Sequence, residues 1–590
     1  MIGILALWLI ITSWRKWSDP QIDFGREVYI PWRMLNGAHW LTDIDDLYGP
    51  LSRFIDTVLF KLFGPSIMVI VWANIASYVV TLAVLYRLFK QGWGFVVSLA
   101  SCFIFVSVFS FSQLTATSNY NFITPYSHQV IHGFLVCLFL VWILHGWVFE
   151  LTLTKSVSIG LLIGLTALLK PEFILCAIFL TGAAWFWSML QFGEPRFGAL
   201  ALIFLGALLP TLLFTLYFMS YLSVGDASAA ACHAWLNGLF IWKDALTAHL
   251  LDNFSGMDNP SHNAYLHGFS TLKALALLGA IWLLSWLSNR LSFTWMRYTL
   301  VLLAAELLVK FGLWSIGWAE IGRVFLGLLA IYGCFKALVW FLRGRVMNDP
   351  KVGLTRLLMS VFAVSLMARM VLNGRVYQYG FCQASIAAMV IVAVLLGEVP
   401  EGSFLKDFAR KVYISLISVL LFTGNVCLIM QSQALLAAKT ASIGQDGDQF
   451  YSFPVQIGGN SEIISHFTEF LRKQPDTESL IVLPEGITLN YLSRKKSPVP
   501  ELLFYVSPQL EDKILVKLRA NPPTWVVFLS RDLTEYGVSH YGAKGQSGDK
   551  ILDYIITHYS LVDSMGGDPS GALPVGGRLY KRNDLGKLRP

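Results

Sequence analysis

Long unbroken apolar runs, rather than strict alternation, fill the first three quarters of the chain. They lie near 2–14, 66–88, 95–111, 130–149, 156–169, 172–190, 198–223, 271–288, 298–318, 322–342, 354–372, 383–397 and 412–431. A membrane helix uses roughly 20 apolar residues, so the pattern predicts a mainly α polytopic membrane protein with about 13 transmembrane helices. Period-2 alternation, the mark of an outer-membrane barrel, is missing. The fifth and sixth runs meet at Lys170-Pro171-Glu172, where proline ends a helix. The first run is short and carries no small-residue cleavage site, so it reads as an anchor.

The pattern changes after Gln431. Ile463, Ile464, Phe467, Phe470 and Leu471 recur at helical spacing within Ser461–Lys473, and LIVL at 480–483 and WVVFL at 525–529 read as buried strands. Helices are expected over 509–519 and 549–558, and a last strand over 578–581. Alternating helices and short apolar strands imply a small C-terminal α/β domain. The expected organisation is a transmembrane domain over 1–431 and an extracytoplasmic domain over 432–590. No glycine-rich phosphate loop follows a predicted strand.

Composition sharpens this picture. Of 590 residues, 55% are apolar and 14% charged, against about 25% charged in a soluble domain. A water-soluble globular protein is excluded. Lys and Arg number 44 against 37 Asp and Glu, for a net charge of +7. Residues 440–590 hold 16 basic and 17 acidic residues, so the excess belongs to the apolar section. Such an excess reads as positive-inside loops, not as affinity for nucleic acid. With the N-terminus inside, alternate loops carry Arg87, Lys90, Lys155, Arg196, Arg290, Arg297, Lys351 and Arg410, while the opposite short loops hold little beyond single basic residues such as Lys170, Arg323 and Arg375. An odd number of spans then puts the C-terminal domain outside. The seven cysteines show no CxxC pair and no zinc-ligand spacing; five sit inside apolar runs and read as small core residues.

Arg15–Gly64 is the most informative stretch. At about 50 residues it is too long for a simple connection. It concentrates Asp19, Asp23, Glu27, Asp43, Asp45, Asp46 and Asp56, and among these acids run two amphipathic segments, one around Tyr29–Leu35 and one from Leu51 to Leu62. Helices of this kind lie in the membrane interface and hold carboxylates at headgroup level.

Here the sequence resembles the C-type glycosyltransferases, integral-membrane enzymes that use polyprenyl-phosphate sugars. Their relatives include protein O-mannosyltransferases and the transferases that add aminoarabinose to lipid A. The resemblance is carried by Asp23-Phe24-Gly25, Gly37, Asp43 and Tyr48-Gly49-Pro50-Leu51, then by Asn119-Tyr120 with Pro125-Tyr126-Ser127, by Lys170-Pro171-Glu172, and by Tyr377-x-Tyr379-Gly380-Phe381. It implies an inverting transfer of sugar to an acceptor hydroxyl on the extracytoplasmic face, with a general base at Asp23. It also implies site roles for Asp43, Glu172, Tyr126, Tyr377 and Tyr379. The expected partners are a polyprenyl-phosphate-linked sugar donor, an acceptor glycan, lipid or protein, and membrane lipids. A bacterial inner membrane is the expected location.

A carboxylate in a partly dehydrated cleft makes a better base. Asp23 also suits the N-cap of a Gly25–Asn36 helix. Asp43-Ile44-Asp45 has the oxygen donors of a divalent-metal site and equally the residues of a turn before Gly49-Pro50; the chemistry requires no metal. Lys170, Arg375 and Arg323 end spans on the Asp23 face, so each is either a donor-phosphate contact or an interfacial snorkeller. Glu306 and Lys310 neutralise each other at i, i+4. His128 and His132 share a helix face and read as structural hydrogen-bonding groups. The histidine- and aromatic-rich loop 224–270 reads as a cover over the acceptor site or as an interfacial belt. A transporter of lipid-linked or amphipathic cargo is the main competing class. It would show two similar halves with broken helices and midplane charges; this chain has one break, at Lys170-Pro171, but no matching half, and its acids cluster at the outer interface. A membrane scaffold would not need the acidic first loop.

Overall fold

The computed structural model describes residues 2–117, 120–193, 195–240, 245–343, 349–402, 405, 407–571 and 573–583. Asn119 of the family-like segment lies outside them. Among the described residues, nine helical stretches are long and apolar enough to cross a membrane: Ile67–Ser110, His128–Phe149, Pro171–Phe192, Phe197–Phe218, Leu246–Ser288, Trp318–Leu342, Pro350–Met370, Gly380–Gly402 and Phe408–Ala437.

The count of 13 expected from the apolar runs differs for physical reasons. Ile2–Ser13 is a helix of 12 residues, about 18 Å long, against a hydrocarbon core of about 30 Å. Leu153–Ala167 is a helix of 15 residues. Thr294–Trp314 is long enough, but Arg297, Glu306 and Lys310 lower its hydropathy, and Lys310 pairs with Glu306 at 2.7 Å. Ile67–Ser110 accounts for two of the expected runs. Gly94 adopts φ 81°, a left-handed value that glycine takes at little cost. Tyr78 and Phe111, nearly equidistant from Gly94 in sequence, bring their rings to 5.2 Å. The chain therefore folds back at Gly94 as a helical hairpin.

The helix Asp407–Ala437 runs past Gln431 and leads into the C-terminal region. Strands β1 (Ala441–Ile443) and β2 (Phe450–Ser452) form an antiparallel pair. A four-stranded sheet follows, built from β3 (Leu480–Leu483), β4 (Trp525–Leu529), β5 (Tyr559–Gly566) and β6 (Gly576–Arg582) in the order β3-β4-β6-β5. β3 and β4 are parallel, with Val482 opposite Val527; β6 pairs antiparallel with both β4 and β5. All residues of β3 and β4 are buried, which is why their sequences are continuous apolar runs. β5 was not expected from the pattern. It is an edge strand, mostly exposed, and its sequence YSLVDSMG offers no apolar run. The helix Ser461–Arg472 buries Ile463, Ile464, Phe467 and Leu471 against the sheet.

The first loop forms two helices, Gly25–Leu35 and Pro50–Phe63. It is clamped between the two parts of the chain. Gly49 N and Leu51 N donate to the carbonyls of Leu169 and Leu168, just before Lys170, while Asp45 N donates to Pro500 O of the C-terminal region.

Candidate active site

Asp23 sits at the start of the first loop helix with φ 62°. A left-handed conformation costs a non-glycine residue about 1 kcal/mol or more and marks positions held by their surroundings. The helix begins at Gly25 without a side-chain cap, so Asp23 does not serve as its N-cap. Its carboxylate is held by side chains instead. Oδ1 pairs with the Arg26 guanidinium, and Oδ2 accepts from the Tyr126 hydroxyl at 3.1 Å. About a fifth of the side chain remains exposed. An ionised carboxylate offers about four acceptor directions, so these two contacts leave room for a further proton donor.

Aromatic rings and cations surround this carboxylate. The Tyr126 hydroxyl lies 3.0 Å from that of Tyr379, which orders a chain of donors from Tyr379 through Tyr126 to Asp23. Burial, reinforced by Asp23, pushes the Tyr126 phenol well above its ordinary value, so it remains a donor. Tyr120 packs edge-on against both rings at 5.4 Å. Lys170 is 2% exposed. Its Nζ lies 4.1 Å from the Tyr48 ring centre and 4.8 Å from that of Tyr379, and among the described residues it has no hydrogen-bond or ion-pair partner. Pro171 fixes the break that delivers Lys170 here, because the helix starts at Pro171 and leaves Lys170 extended. Glu172 pairs instead with Arg369 at 2.8 Å, and the Arg369 guanidinium lies 4.2 Å from the Tyr379 ring centre. An unpaired buried ammonium is costly unless an anion joins it. The arrangement suits an anion.

Arg375 and Arg323 form a neighbouring group. Arg375 lies against the rings of Phe254 and Tyr377, and its Nε has no partner among the described residues. Arg323 pairs with Glu320 at 2.9 Å, and the Tyr377 hydroxyl donates to Glu320 at 2.7 Å. Phe254 in turn packs on Tyr379 at 5.7 Å, which links the two groups. Beside them opens an apolar groove between the helices, lined by Val108, Leu277, Trp318, Phe325, Val376 and Leu428 among others. Val376 and Trp318 place one end of it next to Arg375 and Glu320.

Under the first loop lies a fully buried charge network. Arg53 donates to Glu27 at 2.7 Å and to Asp46 at 2.7 and 3.2 Å; Trp40 Nε1 also donates to Asp46. Asp56 faces His128 Nδ1 at 3.0 Å, and His132 Nδ1 lies 2.9 Å from Ser52 Oγ. Glu27, Asp56 and His128 bring ligand atoms within 4.8 Å of one another and have the donor types to hold a divalent metal. In this structure Arg53 already faces Glu27. The network ties both loop helices to the helix His128–Phe149.

The structure therefore gathers Asp23, Tyr126, Lys170, Glu172 and Tyr379 in one cluster, with Arg375, Tyr377 and Arg323 beside it. Asp43 and Asp45 do not join. Both are exposed, and Asp43 Oδ2 accepts from the His39 backbone N–H at 2.8 Å in a local turn. Sequence reasoning missed Arg26, Arg369 and Glu485. Arg26 had a signal in its i, i+3 spacing from Asp23. Arg369 was hidden at the end of an apparent span, and Glu485, more than 400 residues from Asp23, had none. Its carboxylate accepts the Asp23 backbone N–H at 2.8 Å.

No protein-family model and no curated protein matches the chain. Among solved structures, the apo oligosaccharyltransferase of Archaeoglobus fulgidus is similar over 99% of this chain and 74% of its own, with 12% identity and a TM-score of 0.50. The same protein in complex with Zn and sulfate matches over 89% and 67%, with 11% identity and a TM-score of 0.50. ArnT from Cupriavidus metallidurans, bound to undecaprenyl phosphate, covers 98% of this chain and 97% of its own at 12% identity and a TM-score of 0.43. At such identities the likeness is one of fold: the chain has the C-type glycosyltransferase fold.

Proposed function

We propose that this chain is an inverting membrane glycosyltransferase, moving a sugar from a polyprenyl-phosphate donor to an acceptor hydroxyl on the extracytoplasmic face. Asp23 accepts the proton of the acceptor hydroxyl. The acceptor oxygen forms a bond to the anomeric carbon as the bond from that carbon to the phosphate oxygen breaks. Polyprenyl phosphate leaves with the electron pair, and attack from the opposite side inverts the anomeric centre. The Tyr379–Tyr126 chain orients the base. Lys170, with Arg26 and Arg369 at the same cluster, stabilises charge gathering on the leaving phosphate in a dehydrated site. Glu172 fixes Arg369. Arg375, Tyr377 and Arg323 stand where the apolar groove meets this cluster, and the groove takes the lipid chain.

The observation that carries this reading is an accessible, oriented carboxylate in the same cluster as a buried lysine that has no counter-ion among the described residues. The fold, shared with an oligosaccharyltransferase, is consistent with it. The motif-bearing residues gather at one end of the helices together with the C-terminal sheet domain. The basic loops expected on the cytoplasmic side support an N-terminus inside and a catalytic face outside, in a bacterial inner membrane. The reaction as drawn uses no metal.

The test is donor turnover by the purified full-length chain in lipid vesicles. Undecaprenyl-phosphate-linked hexoses and pentoses, offered with hydroxylated acceptors, are expected to release undecaprenyl phosphate and yield a glycosylated acceptor of inverted configuration. Movement of the intact donor across the bilayer without release would contradict the proposal and favour a transporter.

A further inference from the structure

We infer that Glu485, in the C-terminal domain, is a positioning residue for Asp23, so that this domain is part of the reaction centre. The inference rests on the role proposed above for Asp23.

Glu485 follows β3 in the turn that leads into the helix Ile487–Ser493. It is 2% exposed. Its Oε1 accepts the Asp23 backbone N–H at 2.8 Å, and its main-chain carbonyl accepts from Gln21 Nε2 at 3.3 Å. Its Oε2 faces Arg531 Nε at 3.4 Å, while Arg531 Nη2 is held separately by Glu535 at 2.7 Å. The other charged and titratable groups around it are Asp23, Arg26, Tyr505 and Tyr536.

The turn that presents Asp23 is gripped from two sides. Asp19 Oδ1 accepts from the amides of Gln21 and Ile22 within the turn, and Glu485 takes the next amide, that of Asp23, from outside it. This is the residue whose φ of 62° needs external support. Beyond it the loop helix lies so close to the C-terminal domain that a Cβ on Gly25 would fall 2.2 Å from Thr488 N. The rotation that aims the Asp23 carboxylate at Tyr126 and Arg26 is thus set by two successive contacts from a domain more than 400 residues away. Reach, rather than charge, is what this function needs of Glu485: an oxygen at the right place for the Asp23 N–H.

That distinction gives the experiment. Glu485→Gln keeps an acceptor oxygen at the same reach and removes the charge. Glu485→Asp keeps the charge facing Arg531 and withdraws the oxygen by one methylene. Hydrogen exchange on the full-length chain, without substrate, is read over peptides spanning 19–27. Turnover is read with undecaprenyl-phosphate-linked sugar, and the melting temperature is recorded beside both. Glu485→Asp is expected to speed exchange in 19–27 several-fold and to lower kcat about 10- to 100-fold, since small misplacements of a reacting group are this costly. Donor KM should stay within about twofold. Glu485→Gln is expected to leave exchange and kcat near the parent protein. The reverse ranking, with Asp harmless and Gln damaging, would overturn the inference in favour of a structural ion pair with Arg531. Unchanged exchange in both variants, or faster exchange with unchanged kcat, would also overturn it. A parent chain that turns over no donor removes the glycosyltransferase reading instead, and the exchange data still decide the positioning.

Discussion

The Tyr126 hydroxyl donates to Asp23 Oδ2 across 3.1 Å while the Tyr379 hydroxyl stands 3.0 Å behind it. Three segments far apart in sequence therefore fix one carboxylate. A hydrogen bond to a charged group contributes about 1.5–3 kcal/mol. Tyr126→Phe is expected to lower kcat roughly tenfold or more, with donor KM little changed. Steady-state kinetics with varied donor checks this, and an unchanged kcat would remove the tyrosine chain from the orientation of the base.

Lys170 is a buried cation with no ion-pair partner among the described residues. If it meets the donor phosphate, Lys170→Ala should raise donor KM by about 10- to 100-fold, the effect of losing about 1.4–3 kcal/mol of a desolvated charge contact. Lys170→Arg should recover part of it. Equilibrium binding of undecaprenyl phosphate to the full-length chain reads the same contact without catalysis. Equal affinity in Lys170→Ala would assign Lys170 to packing against Tyr48 and Tyr379.

The membrane class, most helices and the α/β character of the last 150 residues were legible because apolar runs and their periods report burial directly. Two kinds of information were not. Length alone could not separate the helix Ile2–Ser13 from a full span, nor show that a single glycine, Gly94, turns one helical stretch into a hairpin. Within the site, residues carried by short motifs were readable: Asp23, Tyr126, Lys170, Glu172 and Tyr379 do converge. What stayed hidden were partners fixed by tertiary contact. Glu172, next to Lys170 in sequence, turns to Arg369, and Asp43 shares a loop with Asp23 but points to a local turn. The strand β5 was missed for a related reason: unlike β3 at the other edge of the sheet, its residues are mostly exposed and carry little hydrophobic signal.

Arg53 holds Glu27 and Asp46 where water cannot reach them. Removing one partner from a buried ion network leaves uncompensated charge and costs about 3–5 kcal/mol. Arg53→Met should lower the melting temperature of the detergent-solubilised protein markedly. Arg53→Lys should fall between, because one ammonium cannot serve both carboxylates. A melting temperature unchanged in Arg53→Met would contradict this role.

Glu485 also sets a pH dependence. Burial raises its carboxyl to about 7, against the opposing pull of Arg531 and with a smaller push from Asp23. Because the folded state holds this proton more tightly than the unfolded chain, the group's contribution to stability is full below its ordinary value near 4.5. It is lost as pH rises to about 7. The shift corresponds to roughly 3 kcal/mol. Thermal unfolding between pH 4.5 and 8 should therefore show Glu485→Gln gaining on the parent protein as pH rises, with the difference levelling off above pH 7. Parallel curves would contradict the assignment.

The most direct measurement is turnover of an undecaprenyl-phosphate-linked sugar by Asp23→Asn, with binding of the donor followed in parallel. Asparagine preserves the shape of the side chain and can still accept from Tyr126, but it is not a base. Loss of roughly 10²- to 10⁴-fold in kcat, with donor affinity and melting temperature retained, is the outcome expected of a general base. Turnover within tenfold of the parent protein would show that the acceptor proton goes elsewhere and would contradict the account.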